Sequence, residues 1–345
     1  MERSREAFVI GGHSIAPGSA ETIDLPVVGL YTRAPVSMPV RVLHGRREGP
    51  VVFVSAALHG DEIMGVEILR RVLRLPALRR LSGTLLVVPV VNTLAFLQHS
   101  RYLPDGRDLN RSFPGSETGS LAARVAHHFL KEVVGRCHYG IDLHTGAQHR
   151  PNLPQIRADL SHPASLRLAH AFGAPLLLDS EPTPGTLRAF TTRREIPVLL
   201  YEASEALRFD EAAIRIGVQG ICNVLAALGM IAAAPRAPRT PPVVAISSTW
   251  VRAPASGVLR TRIELGETIV RGAPLGVVGD PLGEREVTVK ATASGVVIGR
   301  TRLPLVHEGD ALFHIARLDE GNAASVQKRM RAEGRGRRRG RADGV

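Results

Sequence analysis

The segment His59–Glu62, HGDE, sets an imidazole and a carboxylate three residues apart, and both can converge on one metal ion if the chain turns there from a strand end into a helix. As a bare pattern the pair also recurs by chance, and a surface ion pair at a helix terminus accounts for it equally well. A catalytic metal site needs a third ligand and an open position for water. His144, in IDLHTG, offers that ligand, against the competing reading of a capping or core histidine. His127, His128, His138 and His149 are rivals that rank lower, because none ends a strand directed at the same crevice. Activating a metal-bound water also calls for a carboxylate close to the metal but not bound to it. Glu202, at the end of PVLLYE, is so placed; the alternative use, capping a helix, suits Glu205 or Asp210 better. In DGRDLNRSFPG, the residues Arg107, Asp108, Asn110 and Arg111 add a fork of donors suited to a carboxylate. Phosphate is the rival ligand for those arginines, but the chain has no P-loop signature.

These residues need a scaffold that brings distant segments together. Val51–Gly60 is an apolar run with β-branched residues, the pattern of a strand buried on both faces of a parallel sheet. Ile63, Val66, Leu69, Val72 and Leu73 then recur at helical spacing until Pro76. Thr84–Asn92 reads as the next strand, completing a βαβ unit. The alternation continues with a helix at 121–134, a short strand at 139–144, a helix at 165–172, a strand at 196–202 and a helix at 210–231. It predicts a doubly wound α/β domain with a mixed or parallel sheet, whose ligands bind beyond the carboxyl ends of the strands, where His59, His144 and Glu202 lie.

Composition divides the chain further. The expectation is an N-terminal β segment at 1–45, the α/β domain at 46–232, a proline-rich linker at 233–242, a small all-β domain at 243–318 and a disordered basic tail at 319–345. The β domain repeats internally: Ala255-Ser-Gly-Val matches Ala293-Ser-Gly-Val, and ETIVRGAPLGVV echoes LVHEGDALFHIA, so its halves should pair about a pseudo-two-fold axis. The net charge of +12 looks like a nucleic-acid signature, but eight cations against two acids between Val326 and Val345 leave +6, half of it, in the tail. That tail has no aromatic side chain for base stacking, so a solvated terminus is favoured over a nucleic-acid partner. Two cysteines exclude a disulfide framework, and no run is long and apolar enough for a membrane helix or signal core. A cytoplasmic protein without a membrane partner is expected, with homo-oligomer formation left open.

HGDE, RDLNRSFPG, DLHTG and YEAS, in this order, resemble the succinylglutamate desuccinylase and aspartoacylase family of zinc-carboxypeptidase-like amide hydrolases, in particular its bacterial deacylase branch. The resemblance covers most of 40–232. It implies one zinc ion per chain on His59, Glu62 and His144, Glu202 as general acid/base, Asn110 with Arg111 gripping a substrate carboxylate, and a small N-acyl amino acid as substrate. It also implies an arginine that polarises the scissile carbonyl, for which Arg101 matches better than Arg107, and it casts Asp108 as the carboxylate that orients a metal-bound histidine. A carboxypeptidase acting on short peptides shares this chemistry. One departure is local: Ser204 stands where the family usually has glycine, two residues after the catalytic glutamate, which puts the backbone shape there in question. The repeat resembles a biotinyl/lipoyl-type sandwich, yet no lysine lies between Gly279 and Val287 and Lys290 falls inside a predicted strand, so it carries no prosthetic group and reads as a wall or lid of the site, or an oligomer contact.

Overall fold

A computed structural model describes residues 5–29, 31–232 and 241–318. Most of the expected linker and the whole basic tail lie outside the described residues. The strand Arg47–Ala56 forms where expected, and its last five residues are buried on both faces. It lies between two parallel partners, Ser82–Val88 and Tyr139–Gly146. Val198–Glu205 extends the parallel set beside Tyr139–Gly146, which puts Glu202 opposite His144. Antiparallel strands widen the sheet on both sides: Pro35–His44 and Ser19–Gly29 beyond Ser82–Val88, and Asn152–Ala158 beyond Val198–Glu205. Asn152–Ala158 and its parallel neighbour Leu176–Asp179 appear where the sequence pattern gave no strand.

Helices cover both faces, as a doubly wound sheet requires. Met64–Val72, Pro163–Phe172 and Glu211–Ala227 bury Ile68, Phe172 and Ile221 against Val54, Ile141 and Leu199 on one face. Leu121–Glu132 and the hairpin Phe8–Ile10/His13–Ile15 bury Phe129, Ile10 and Ile15 against Phe53 and Leu86 on the other. Gly217 lets two helices approach closely: a Cβ there would lie 2.6 Å from Cδ1 of Ile68. Ile68 is fully buried, and its replacement by alanine should cost about 2–5 kcal/mol. Among the described residues no helix is long and apolar enough to cross a membrane.

Residues 243–318 are all strand and turn, but the sheet does not stop at the expected boundary. Val243–Arg252 runs parallel to Leu176–Asp179, pairing Val243 with Leu176 and Ala245 with Leu178. Ala311–Leu318 and Gly295–Arg300 follow antiparallel, and Gly299 then pairs with Asn152, which closes a ring of five strands filled by Leu176, Leu178, Ala245, Val296, Ile298 and Ala316. An unpaired edge at Leu176–Asp179 would leave a row of backbone donors and acceptors open, and composition cannot reveal which strand covers it. The repeat shows in the pairing: Thr268–Ile269 of the first half pairs with Gly295 and Val296 of the second, and Leu305–Val306 of the second pairs with Gly257 and Val258 of the first. Lys290 ends the strand Glu286–Lys290 rather than a hairpin tip.

Candidate active site

Beyond Ala56 the chain leaves its strand through Ala57, at φ +48°, and turns into the helix at Met64. Backbone N–H groups of Val91 and Asn92 donate to Ala56 and Ala57, and Asn92 Nδ2 donates to the Leu58 carbonyl at 3.2 Å. Gly60 is needed because a Cβ there would sit 2.0 Å from the Ala95 carbonyl carbon. The turn, so pinned, holds His59 and Glu62 beside His144 at the end of the neighbouring strand. All three are buried, and one ligand atom from each lies within 4.8 Å of the others.

The same ring nitrogen faces inward in both histidines. Nδ1 of His59 lies 2.6 Å from Oε1 of Glu62, and Nδ1 of His144 lies 2.7 Å from Oε2. Each Nε2 turns outward to a carboxylate: Asp108 at 3.1 Å from His59, and Asp142 at 2.7 Å from His144. An imidazole donating from Nε2 keeps the Nδ1 lone pair for a metal, so the carboxylates set the tautomer that ligation requires. Asp142 is fixed in turn by the Ser55 hydroxyl, which donates to it at 2.7 Å, and Asp108 by Arg101 Nη2 at 2.9 Å and the Asn110 N–H at 2.8 Å. Burial by itself would raise the Glu62 carboxyl, but the two imidazoles hold it well below its ordinary range. Burial would likewise lower His144, yet Asp142 and Glu62 outweigh it and leave the ring well above its ordinary value; Glu62 and Asp108 do the same for His59. The cluster therefore concentrates negative charge that protons on the imidazoles and the Arg101 guanidinium offset, and two imidazole nitrogens with one carboxylate suit a divalent ion.

A cavity of about 310 Å³ opens beside this cluster. Glu202 lines it, held from two sides: Asn152 Nδ2 donates to Oε1, and the Arg157 guanidinium lies 3.0 Å from Oε2. Asn110 and Arg111 line it as well; Asn110 Oδ1 accepts from the Leu187 N–H at 3.0 Å, which leaves its Nδ2 for a ligand. Arg101 reaches the cavity, with Nη1 3.4 Å from Glu62. Arg107, expected among the substrate-binding groups, does not line it: its side chain is 63% exposed and 3.8 Å from Asp105. His127, His128, His138 and His149 also stay outside the cavity.

The catalytic-domain profile described as "Succinylglutamate desuccinylase/Aspartoacylase catalytic domain" matches residues 48–228, just over half of the chain. The chain belongs to the succinylglutamate desuccinylase/aspartoacylase family. Among curated relatives, an N-alpha-acetyl-L-2,4-diaminobutyric acid deacetylase of Halomonas elongata is 28% identical over 304 residues, 83% of this chain and 87% of its own length. A family structure from Rhodobacter sphaeroides superposes with a TM-score of 0.77 at 26% identity, covering 86% of this chain and 94% of that one. The product-bound ectoine utilization protein of Ruegeria pomeroyi gives 0.78 at 23% identity, over 87% and 95%, and shares the fold. The family is one of deacylating amide hydrolases, so the chain is an enzyme of that kind.

Family membership makes the Ser204 departure interpretable. Ser204 adopts φ +62°, the left-handed conformation that glycine takes without strain, inside a bulge that follows Glu202. The serine thus takes a backbone conformation better suited to glycine and bears the strain. Several cavity residues had no separate signal: Asp142 sits inside the DLHTG motif unassigned, while Asn152, Arg157 and Arg188 come from segments to which the sequence pattern gave no element. Trp250 lines the cavity from the C-terminal β region, stacked 4.4 Å from His314, with the Arg150 guanidinium 6.0 Å from its ring. Burial, and the nearby Arg157 charge, push His314 down to about 3, so it stacks as a neutral ring.

Proposed function

We propose that the chain is a zinc-dependent deacylase that hydrolyses the amide of an N-acyl amino acid, or a related small amide bearing a carboxylate, with one zinc ion per chain on His59, Glu62 and His144. The observation that carries this reading is the convergence of two Nδ1 atoms on one buried carboxylate, with a second carboxylate, Glu202, on the wall of the same cavity. A zinc ion held by His59, Glu62 and His144 would supply Lewis-acid polarisation of the carbonyl and would lower the pKa of a bound water to about 7. Glu202 takes the proton from water and delivers it to the departing amine. Arg101 stabilises charge developing on the carbonyl oxygen, once substrate draws it from Asp108 and Glu62. Asn110 Nδ2 and Arg111 hold the substrate carboxylate at the mouth. Asp108 and Asp142 fix the two imidazoles.

The Halomonas relative makes an N-acetylated diamino acid the first substrate to try. Metal analysis combined with a panel of N-acetyl amino acids, N-succinyl amino acids and dipeptides tests the proposal. One zinc per chain and turnover of an N-acyl amino acid are expected. Preference for dipeptides would make the chain a carboxypeptidase, and turnover without any bound metal would refute the reading.

A further inference from the structure

The two halves of the C-terminal repeat differ at one place. Both carry ASGV and then RTR, at 255–258 and 260–262 in the first half and at 293–296 and 300–302 in the second. Leu259 alone separates them in the first half; Val297, Ile298 and Gly299 separate them in the second, two residues more. The ladder to Ala311–Leu318 shifts register between Val297 and Gly299, so one residue of the extra length is taken up as a bulge.

That bulge meets the α/β domain. Gly299 pairs with Asn152, and a Cβ at Gly299 would lie 2.7 Å from Asn152 Oδ1 and 3.2 Å from Cβ of His314. Beyond this contact the Arg300 N–H donates to Pro151 at 3.4 Å and the Arg302 N–H donates to His149 at 2.7 Å. Arg302 also pairs with Glu205 at 2.9 Å, and Glu205 accepts from the His149 N–H. The strand that carries Glu202 and the loop that leads into Asn152 are thus both fastened to the second half of the repeat. Asn152, 7% exposed, turns its amide nitrogen to Glu202 and its oxygen toward Gly299.

We infer that Asn152 is a positioning residue for Glu202, and that the two-residue extension of the second half-repeat, through Gly299, sets the rotamer of Asn152. The C-terminal β region then builds the acid/base side of the cavity rather than merely covering it. A side chain at 299 would crowd the Asn152 amide oxygen, and with the oxygen turned that way the amide nitrogen faces the Glu202 carboxylate. This rests on Glu202 being the acid/base, as proposed above.

A double-mutant cycle in the full-length zinc-loaded protein tests it. Asn152→Ala should lower kcat by about ten- to a hundredfold with KM and zinc content little changed, since the carboxylate keeps only its Arg157 contact and can turn away from the reacting atoms. Gly299→Ala should reproduce the fall, because the added methyl displaces the Asn152 amide. In the Asn152→Ala background, Gly299→Ala should cost nothing more, because the group it displaces is gone. A crystal structure of the metal-free Gly299→Ala protein should show Asn152 rotated away from Glu202. Multiplying losses in the double variant, or an unmoved Asn152, would overturn the coupling. Full turnover of Asn152→Ala beside an inactive Glu202→Gln would overturn the positioning role alone, whereas full turnover of Glu202→Gln would overturn the acid/base reading with it.

Discussion

The two sides of the cavity are built in different ways. On the metal side, His59 and Glu62 sit in one turn, His144 joins them from the adjacent parallel strand, and each imidazole is backed by its own carboxylate, buried Asp142 and half-buried Asp108. On the acid/base side, Glu202 is braced by Asn152 and Arg157 from an antiparallel strand, and that strand is braced by residues more than a hundred positions away in the chain. The metal side is a short-range device whose parts must all be present to bind anything. The acid/base side is a long-range device that can fail by degrees. Graded damage should therefore fall on rate at one side and on metal retention at the other.

The largest effect expected is at the metal side. Glu62→Ala leaves two buried imidazoles without the carboxylate they share, and bound zinc, measured by elemental analysis, should fall to background while turnover drops on the order of a thousandfold or more. Glu202→Gln should cost on the order of a hundredfold or more in kcat with zinc retained. Equal metal loss in both variants would erase the contrast. Arg101→Ala should cost about a hundredfold through the lost oxyanion donor, whereas Arg107→Ala, outside the cavity, should stay within about twofold in kcat/KM.

Smaller effects concern stability. In the metal-free protein His59 and His144 are raised above their ordinary value, so what they contribute is complete below about pH 6.5 and is lost as pH rises through their folded values. Thermal scans of chelator-treated protein should show Tm falling from pH 6.5 to 9, and zinc, which replaces those protons, should remove the decline. Glu62 works in the opposite sense, stabilising above about pH 4.5 and losing that contribution in acid. The smallest change is Ser204→Gly, which relieves a left-handed serine and should raise stability by about 1 kcal/mol, read as a Tm increase of a few degrees.

The same contrast governs what could be read from sequence. Apolar runs of Val, Ile and Leu marked the parallel strands, and HGDE and DLHTG stand at their ends, so the metal side was legible from pattern and position. Asn152–Ala158 was not: NLPQIRA has no apolar alternation and contains Pro154, which normally argues against an inner strand. The structure tolerates it because Pro154 falls in the bulge between the Gln155–Glu202 and Asn152–Ser204 pairs, where the ladder is already interrupted. Leu176–Asp179 is only four residues long, without a β-branched side chain. With both strands missing from the pattern, nothing in the sequence could place Asn152 and Arg157 beside Glu202, or join the C-terminal region to the sheet. Arg107 shows the converse failure, since a motif position fixes the backbone but not which way a long side chain turns.

A zinc-edge anomalous diffraction map of crystals grown with the metal bears hardest on all of this. A single strong peak should appear at coordination distance, about 2.0–2.2 Å, from Nδ1 of His59, Nδ1 of His144 and the Glu62 carboxylate, with both Nε2 atoms still on Asp108 and Asp142. A peak elsewhere in the molecule, or ligation through Nε2 with the two aspartates released, would contradict the site as it is described.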